Sequence, residues 1–219
     1  MTSKILSALC CVSVATFASA AMSDSALRVA PAVHYTGKVV PNSAENSPNA
    51  PTTIFTNLTT DPLNLYNALE GGYYVAGPTN GVISGSQWIG LPFKTKTAAV
   101  TAKSLQAAIG WISGTKQVKL SIYTDAGGVV GTRLGGGATT TIPDLGVCCA
   151  LTVVNVPAGI ALAASTNYWL VAESSAGGPD LLGAWQSTNF YNTGGNVSAG
   201  GWFTFSNLVP AAKITGTVP

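Results

Sequence analysis

The stretch KQVKLSIYTDAGG, residues 116–128, constrains this chain most, because its pattern recurs along the sequence. Val118, Leu120 and Ile122 alternate with Lys119, Ser121 and Tyr123, so one side of the segment is apolar and the other polar. A period of two is the signature of a half-buried strand. Asp125 and the paired glycines then turn the chain back. Short runs of the same texture follow from Thr52 onward: TTIFTNL, GYYVAGP, SGSQWIGLPF, CALTVVNV, GIAL, NYWLVAES, LLGAWQS, GGWFTFS and AAKITGT. They make about ten strands at spacings of roughly 8–15 residues, cut by Gly, Pro, Asn and Asp, which is the rhythm of an all-β protein. The expected architecture is an antiparallel two-sheet β-sandwich, jelly-roll-like, over residues 52–219.

Two segments need arbitration. In AVTAKSLQAAIGWISGT, residues 99–115, helix and strand compete; the lack of a cap and the hairpin-like WISGT favour strand. TTDPLNLYNALEGG, residues 59–72, reads as a loop, and GTRLGGGATTTIPDLG as a glycine bend, a Thr-rich strand and a turn. NYWLVAES is almost continuously apolar, as a central strand covered on both faces is.

Ahead of this region the texture differs. Residues 1–20 carry Lys4, a short apolar run from Ile5 to Phe17 and the small residues ASA, the three-part order of a signal peptide cut after Ala20. Leu9 before Cys10 does not suit a lipobox. Residues 21–51, rich in Pro, Asn, Ser and Ala, read as a flexible tail with one short strand at AVHYTGKVV. The expected product is secreted, extracellular or periplasmic, with no membrane association after cleavage.

Charge narrows the function. Charged residues are 8% of the chain and the net charge is +2, against a usual ~25% charged. The basic residues are scattered, which offers no electrostatic footprint for nucleic acid.

The order of motifs resembles a known family. KQVKLSIYTDAGGVVGTRL, then IPDLGVCCALTVV, GIALAASTNYWLVAE, LLGAWQS and the terminal GGWFTF and KITGT segments are similar to the bacterial exported choice-of-anchor domains, particularly the R type. The likeness covers about residues 52–217. It implies an exported β-sandwich, often held by a C-terminal sorting anchor, and no reaction. The expectation here is a chain without that anchor.

Cys148 and Cys149 are adjacent. Neighbouring Cα atoms stand about 3.8 Å apart across a trans peptide, whereas ordinary disulfides span roughly 4.4–6.8 Å. Three readings compete: a vicinal disulfide at a strand entrance, two reduced buried thiols, and intermolecular pairing. All three are architectural. A zinc site wants four Cys or His ligands, and beyond this pair the mature chain offers only His34, in the tail.

Catalytic residues are scarce. One histidine, His34, leaves no ready Ser-His-Asp or Cys-His arrangement. Asp61, Asp125, Asp144 and Asp180 sit in turn sequences, Glu70 lies beside Gly71-Gly72, and only Glu173 lies on a strand. No pair stands out for glycoside hydrolysis. No cofactor is implied, the weakest reading being one calcium ion on Asp125 and Asp180. GTRLGGG lacks the ending and helix of a phosphate loop.

Five tryptophans and seven tyrosines in a nearly uncharged chain point to binding. Trp88, Trp111 and Trp169 are expected in the core. Tyr73, Tyr74, Trp185, Phe190, Tyr191 and Trp202 lie beside Gly, Ser and Asn and form the candidate aromatic platform, with Gln186, Asn189 and Asn192 as polar neighbours. The expected function is non-catalytic binding of polysaccharide or cell-surface glycan. The alternative is a structural, matrix or adhesion protein acting through protein–protein association, and a hydrolase is the remote third reading.

Overall fold

The computed structural model describes residues 29–30, 51–139, 141–188, 195–198, 200–205 and 208–219, without the side chains of 68–70 and 138–139. Residues 1–20, read above as a signal peptide, His34, the strand expected at AVHYTGKVV, and Asn189, Phe190, Tyr191 and Asn192 lie outside the described residues. Among the described residues there is no helix, and fourteen strands form three sheets, none closed into a barrel. Every ladder between named strands is antiparallel.

The strands are β1 (Val29–Ala30), β2 (Thr52–Thr56), β3 (Asn67–Ala76), β4 (Trp88–Lys94), β5 (Val100–Ala107), β6 (Ile109–Ser113) and β7 (Val118–Asp125). They continue with β8 (Val130–Thr139), β9 (Thr152–Leu162), β10 (Asn167–Ser174), β11 (Leu182–Ser187), β12 (Gly195–Ser198), β13 (Trp202–Phe205) and β14 (Ala212–Thr217). One four-stranded sheet runs β1-β3-β11-β6, the other β2-β14-β5-β9; the six-stranded sheet runs β13-β12-β4-β10-β7-β8.

The alternation seen in the sequence decides which faces meet. Ile89, Leu91 and Phe93 of β4, Tyr168, Leu170 and Ala172 of β10, and Val118, Leu120 and Ile122 of β7 all turn inward. They meet Val75, Leu105, Ile109, Val154, Trp185 and Ile214 from the other two sheets in one shared core. At about 25 cal/mol per Å² of apolar surface removed from water, this burial is the main term holding the sheets together.

Backbone hydrogen bonds stitch the two four-stranded sheets. Ala108, between β5 and β6, donates to Ala211 O at 3.0 Å and accepts from Gln186 N–H at 2.8 Å. Ala211 N–H donates to Gln186 O at 2.9 Å. The ambiguous segment 99–115 is therefore two strands joined through one residue. Its helical look has a cause: the register shifts between Ala102 and Ser104, so buried Ala102 and Leu105 are three apart, a helix-like spacing made by a bulge.

Three other expectations need correction. The segment read as a loop to Gly72 becomes strand at Asn67, because Asn67 and Gly72 pair with Ser187 and Gln186. CALTVVNV and GIAL belong to one strand, β9, which keeps Pro157 because it is the end strand of its sheet. The glycine bend is a stretch of β8: a Cβ on Gly135 or Gly137 would lie 3.0 Å from the Ile160 or Val154 side chain of β9. Glycine there lets the edges of two sheets approach closely, and a larger residue would have to push the β9 side chains back. Segments missing from the sequence reading are β1, which pairs Val29 with Tyr73 and Ala30 with Gly72, and β12.

Candidate functional site

Cys148 and Cys149 are disulfide-bonded to each other and buried, in the turn before β9. They pack with Leu65, Tyr66, Ala108 and Ala211 in a small second apolar cluster. Cys148 lies beneath the 58–66 loop, 3.7 Å from Leu63 O, and the Tyr66 hydroxyl reaches Val147 O and Ala150 O at 3.4 and 3.3 Å. The bonded pair fills the seam where the four-stranded sheets join.

The carboxylates have local partners. Asp61 accepts from Leu63 N–H at 2.9 Å, and Asp144 pairs with Lys116 at 2.5 Å. Asp180 accepts from the Thr115 hydroxyl at 2.7 Å, which holds its carboxyl below the usual range. Glu173, buried, is met by Lys119 at 3.1 Å and the Tyr123 hydroxyl at 3.3 Å. Burial, then the Glu173 charge, push the Tyr123 phenol up to about 12. Asp125 and Glu173 share a sheet face but stand six residues apart along it, about 20 Å by strand rise. That exceeds the spacing of either glycosidase geometry, at most about 9.5 Å. Among the described residues no three His, Cys, Asp or Glu side chains gather as metal ligands.

The aromatic platform expected from sequence does not assemble among the described residues. Trp185 is fully buried in the main core and donates from Nε1 to Ala211 O at 2.8 Å. Tyr73 points inward as well, hydrogen-bonded to Leu208 O and packed on Phe205 with ring centroids 4.9 Å apart. Burial pushes its phenol up to about 12. Gln186 is also buried, and its side-chain amide finds no partner among the described residues. Their glycine and serine neighbours suggested exposed loops, but β11 is a central strand covered on both faces. Only Tyr74 and Trp202 of the described set keep access to solvent, and they lie on different sheets.

A different group of aromatics does come together. On the outer face of the six-stranded sheet, Trp88, Trp169 and Trp202 share one side with Tyr123. Trp169 is correctly expected to be buried, yet it is not in the main core. It lies with Val130 and Val171 against half-buried Tyr123 and Trp202, beneath the tip of the β7–β8 hairpin. The hairpin is tied down by two contacts, the first buried and the second half-buried: Val130 N–H donates to Asn196 Oδ1 at 3.0 Å, and Trp169 Nε1 donates to Asp125 Oδ1 at 2.7 Å. Gly90 makes room below, since a Cβ there would lie 3.0 Å from Val130 Cγ2 and 3.3 Å from Trp169. Trp111 is half-buried elsewhere, against the main core, with Lys116 Nζ 4.3 Å above its ring centroid.

Beside the hairpin tip this face opens into a groove of ≈ 450 Å³. Pro92 and Trp169, paired across β4 and β10, supply its apolar part. Lys94 and Asn167, the next outward pair, stand exposed at its rim with Thr204 and Gly128. Asp125 also lines it, with its carboxylate already engaged by Trp169 Nε1 and Gly128 N–H. The volume lies within the usual range for small-ligand sites, and the mixture of an apolar floor with a few polar groups is their usual chemistry. The signal for this face was present in the sequence: in WIGLPFK, Trp88, Gly90, Pro92 and Lys94 alternate with core residues. No protein-family model matches the chain, and no curated protein matches it.

Proposed function

We propose that this protein is an exported, non-catalytic β-sandwich that binds glycan through the outer face of its six-stranded sheet. The observation that carries the reading is the groove beside the hairpin tip, where Pro92 and the Trp169 indole meet Lys94, Asn167 and Thr204. Sugar rings offer apolar C–H faces and a rim of hydroxyls, and this groove offers a counterpart to each. The six-stranded sheet forms one layer of the proposed sandwich and the stitched pair of four-stranded sheets the other. Export rests on the signal-like residues 1–20, and kinship with the choice-of-anchor domains on the motifs already quoted.

The test is a glycan array on the secreted chain, with Trp202→Ala and Trp185→Ala compared. Trp202 does not line the groove but is half-buried on the same face, packed on the Trp169 cluster that backs it, so its loss is expected to weaken glycan binding and leave the melting temperature within a few degrees of the parent. Trp185 fills the core, and its truncation is expected to cost about 3–5 kcal/mol of stability. Absence of binding to every sugar, with concentration-dependent oligomers instead, would reject glycan recognition in favour of self-association.

A further inference from the structure

The groove's charges say more about its ligand than its shape does. Asp125 is spent inside the fold: Oδ1 accepts from Trp169 Nε1 at 2.7 Å, and both carboxylate oxygens lie 3.2 Å from Gly128 N. Lys94 is the opposite case. It stands exposed at the end of β4 and makes no ion pair with any described residue, while Lys119 and Lys116 are each matched to a carboxylate. Among the described residues that line it, the groove therefore presents one uncommitted cation beside an apolar floor, and the one carboxylate, Asp125, is engaged by two N–H donors. In a chain with 8% charged residues, a charge placed at a groove mouth weighs heavily in selecting a partner.

We infer that the groove takes an acidic saccharide, a chain carrying sugar carboxylates, with Lys94 Nζ meeting a carboxylate. This inference rests on the glycan-binding reading and refines it. The sugar ring packs on Pro92 and the edge of Trp169, and Asn167 and Thr204 supply neutral hydrogen-bond partners at the rim. An exposed ion pair in water contributes modestly; the apolar floor that excludes water on one side of the contact strengthens it. Selectivity follows from the same charge, because a neutral sugar gains nothing from Lys94 that water does not already give.

The experiment uses the full secreted chain, an oligogalacturonate and a neutral oligosaccharide of equal length, titrated by calorimetry and followed by the Trp169 indole N–H resonance. The oligogalacturonate is expected to bind and shift that resonance, and to weaken as salt rises from low to physiological concentration. Lys94→Ala is expected to reduce affinity for the acidic chain about three- to fivefold, and Lys94→Arg to restore part of it. Lys96→Ala, outside the groove, is expected to leave it unchanged. If the neutral oligosaccharide binds as well as the acidic one, or if Lys94→Ala changes nothing, the acidic inference fails and the glycan reading stands. If neither sugar binds or moves the indole resonance, the acidic inference fails, and a glycan array blank for every sugar overturns the glycan reading with it.

Discussion

Tyr73 and Tyr123 show how position on a strand sets the chemistry of one side chain. Tyr73 is on β3 facing the core; Tyr123 is on β7 facing outward, over Glu173. Both phenols are pushed from 10.0 up to about 12, the first by burial, the second by burial and then by the Glu173 charge. Because the folded values lie above the unfolded ones, the folded chain holds these protons longer. Their contribution is fully present below pH 10, where both states are neutral, and is lost as pH rises from about 10 to 12 and the unfolded chain ionises first. Urea unfolding at a series of alkaline pH values is expected to show stability falling across that window. Tyr73→Phe and Tyr123→Phe should each flatten the fall. A curve of the same slope in the double variant would show that other groups drive it. At neutral pH, Tyr73→Phe also leaves Leu208 O without its hydroxyl donor, at a cost of about 1 kcal/mol.

Among the elements, β8 is the one whose sequence misleads most, and it carries the sharpest structural demand. GGG reads as a bend, because three glycines seldom sit inside a strand. Here they stay in register with β7, Gly135 opposite Ile122 and Gly137 opposite Leu120. The reason lies in tertiary contacts with β9, which no local pattern reveals. Gly136 is the strictest of the three. Its φ is 150°, and a Cβ would stand 2.2 Å from Leu120 O, a backbone atom that cannot step aside. Gly136→Ala is expected to destabilise by more than about 2 kcal/mol and to loosen the β7–β8 pairing first. Hydrogen exchange should show the amides of residues 118–123 losing protection before those of β14. Equal protection in both strands, or a neutral change in stability, would contradict the close approach. The candidate site was half legible for a related reason. WIGLPFK displays its alternation openly, yet the expectation of Trp88 in the core takes the wrong phase: Trp88 is half-buried on the outer face with Pro92 and Lys94, and Ile89, Leu91 and Phe93 point inward. NYWLVAES hides its phase, since both of its sides are apolar, and Trp169 could be assigned to burial but not to a face. The LGAWQS run misleads in the other direction, its small and polar residues suggesting a surface, whereas every residue of β11 is buried.

At the scale of the whole molecule, the three sheets differ from three independent units because none owns a core. Trp185 and Val75 come from one sheet, Leu105 and Ile214 from another, Leu120 and Leu170 from the third, and all belong to the same buried cluster. The backbone links through Ala108, Gln186 and Ala211 pass from one four-stranded sheet into the next without a linker. Separating any sheet would expose apolar faces of the other two, and each methylene exposed costs about 0.8 kcal/mol. Strand order strengthens the coupling: β3 precedes β4, and β10 precedes β11, so the chain crosses between sheets repeatedly and few segments can leave alone. The tip of the β7–β8 hairpin is the exception, since its hold on the outer face depends on Asn196, Asp125 and the small Val130–Trp169–Val171 cluster. Thermal unfolding is therefore expected to be one cooperative transition, with calorimetric and van't Hoff enthalpies equal and with tryptophan fluorescence and far-ultraviolet circular dichroism superimposed. Asn196→Ala is expected to lower the midpoint without splitting the transition, because it frees the hairpin tip and leaves the shared core whole. Two resolved transitions in the parent chain would mean that one sheet carries a core of its own, and the outer face would then lose the rigid backing on which the proposed groove depends.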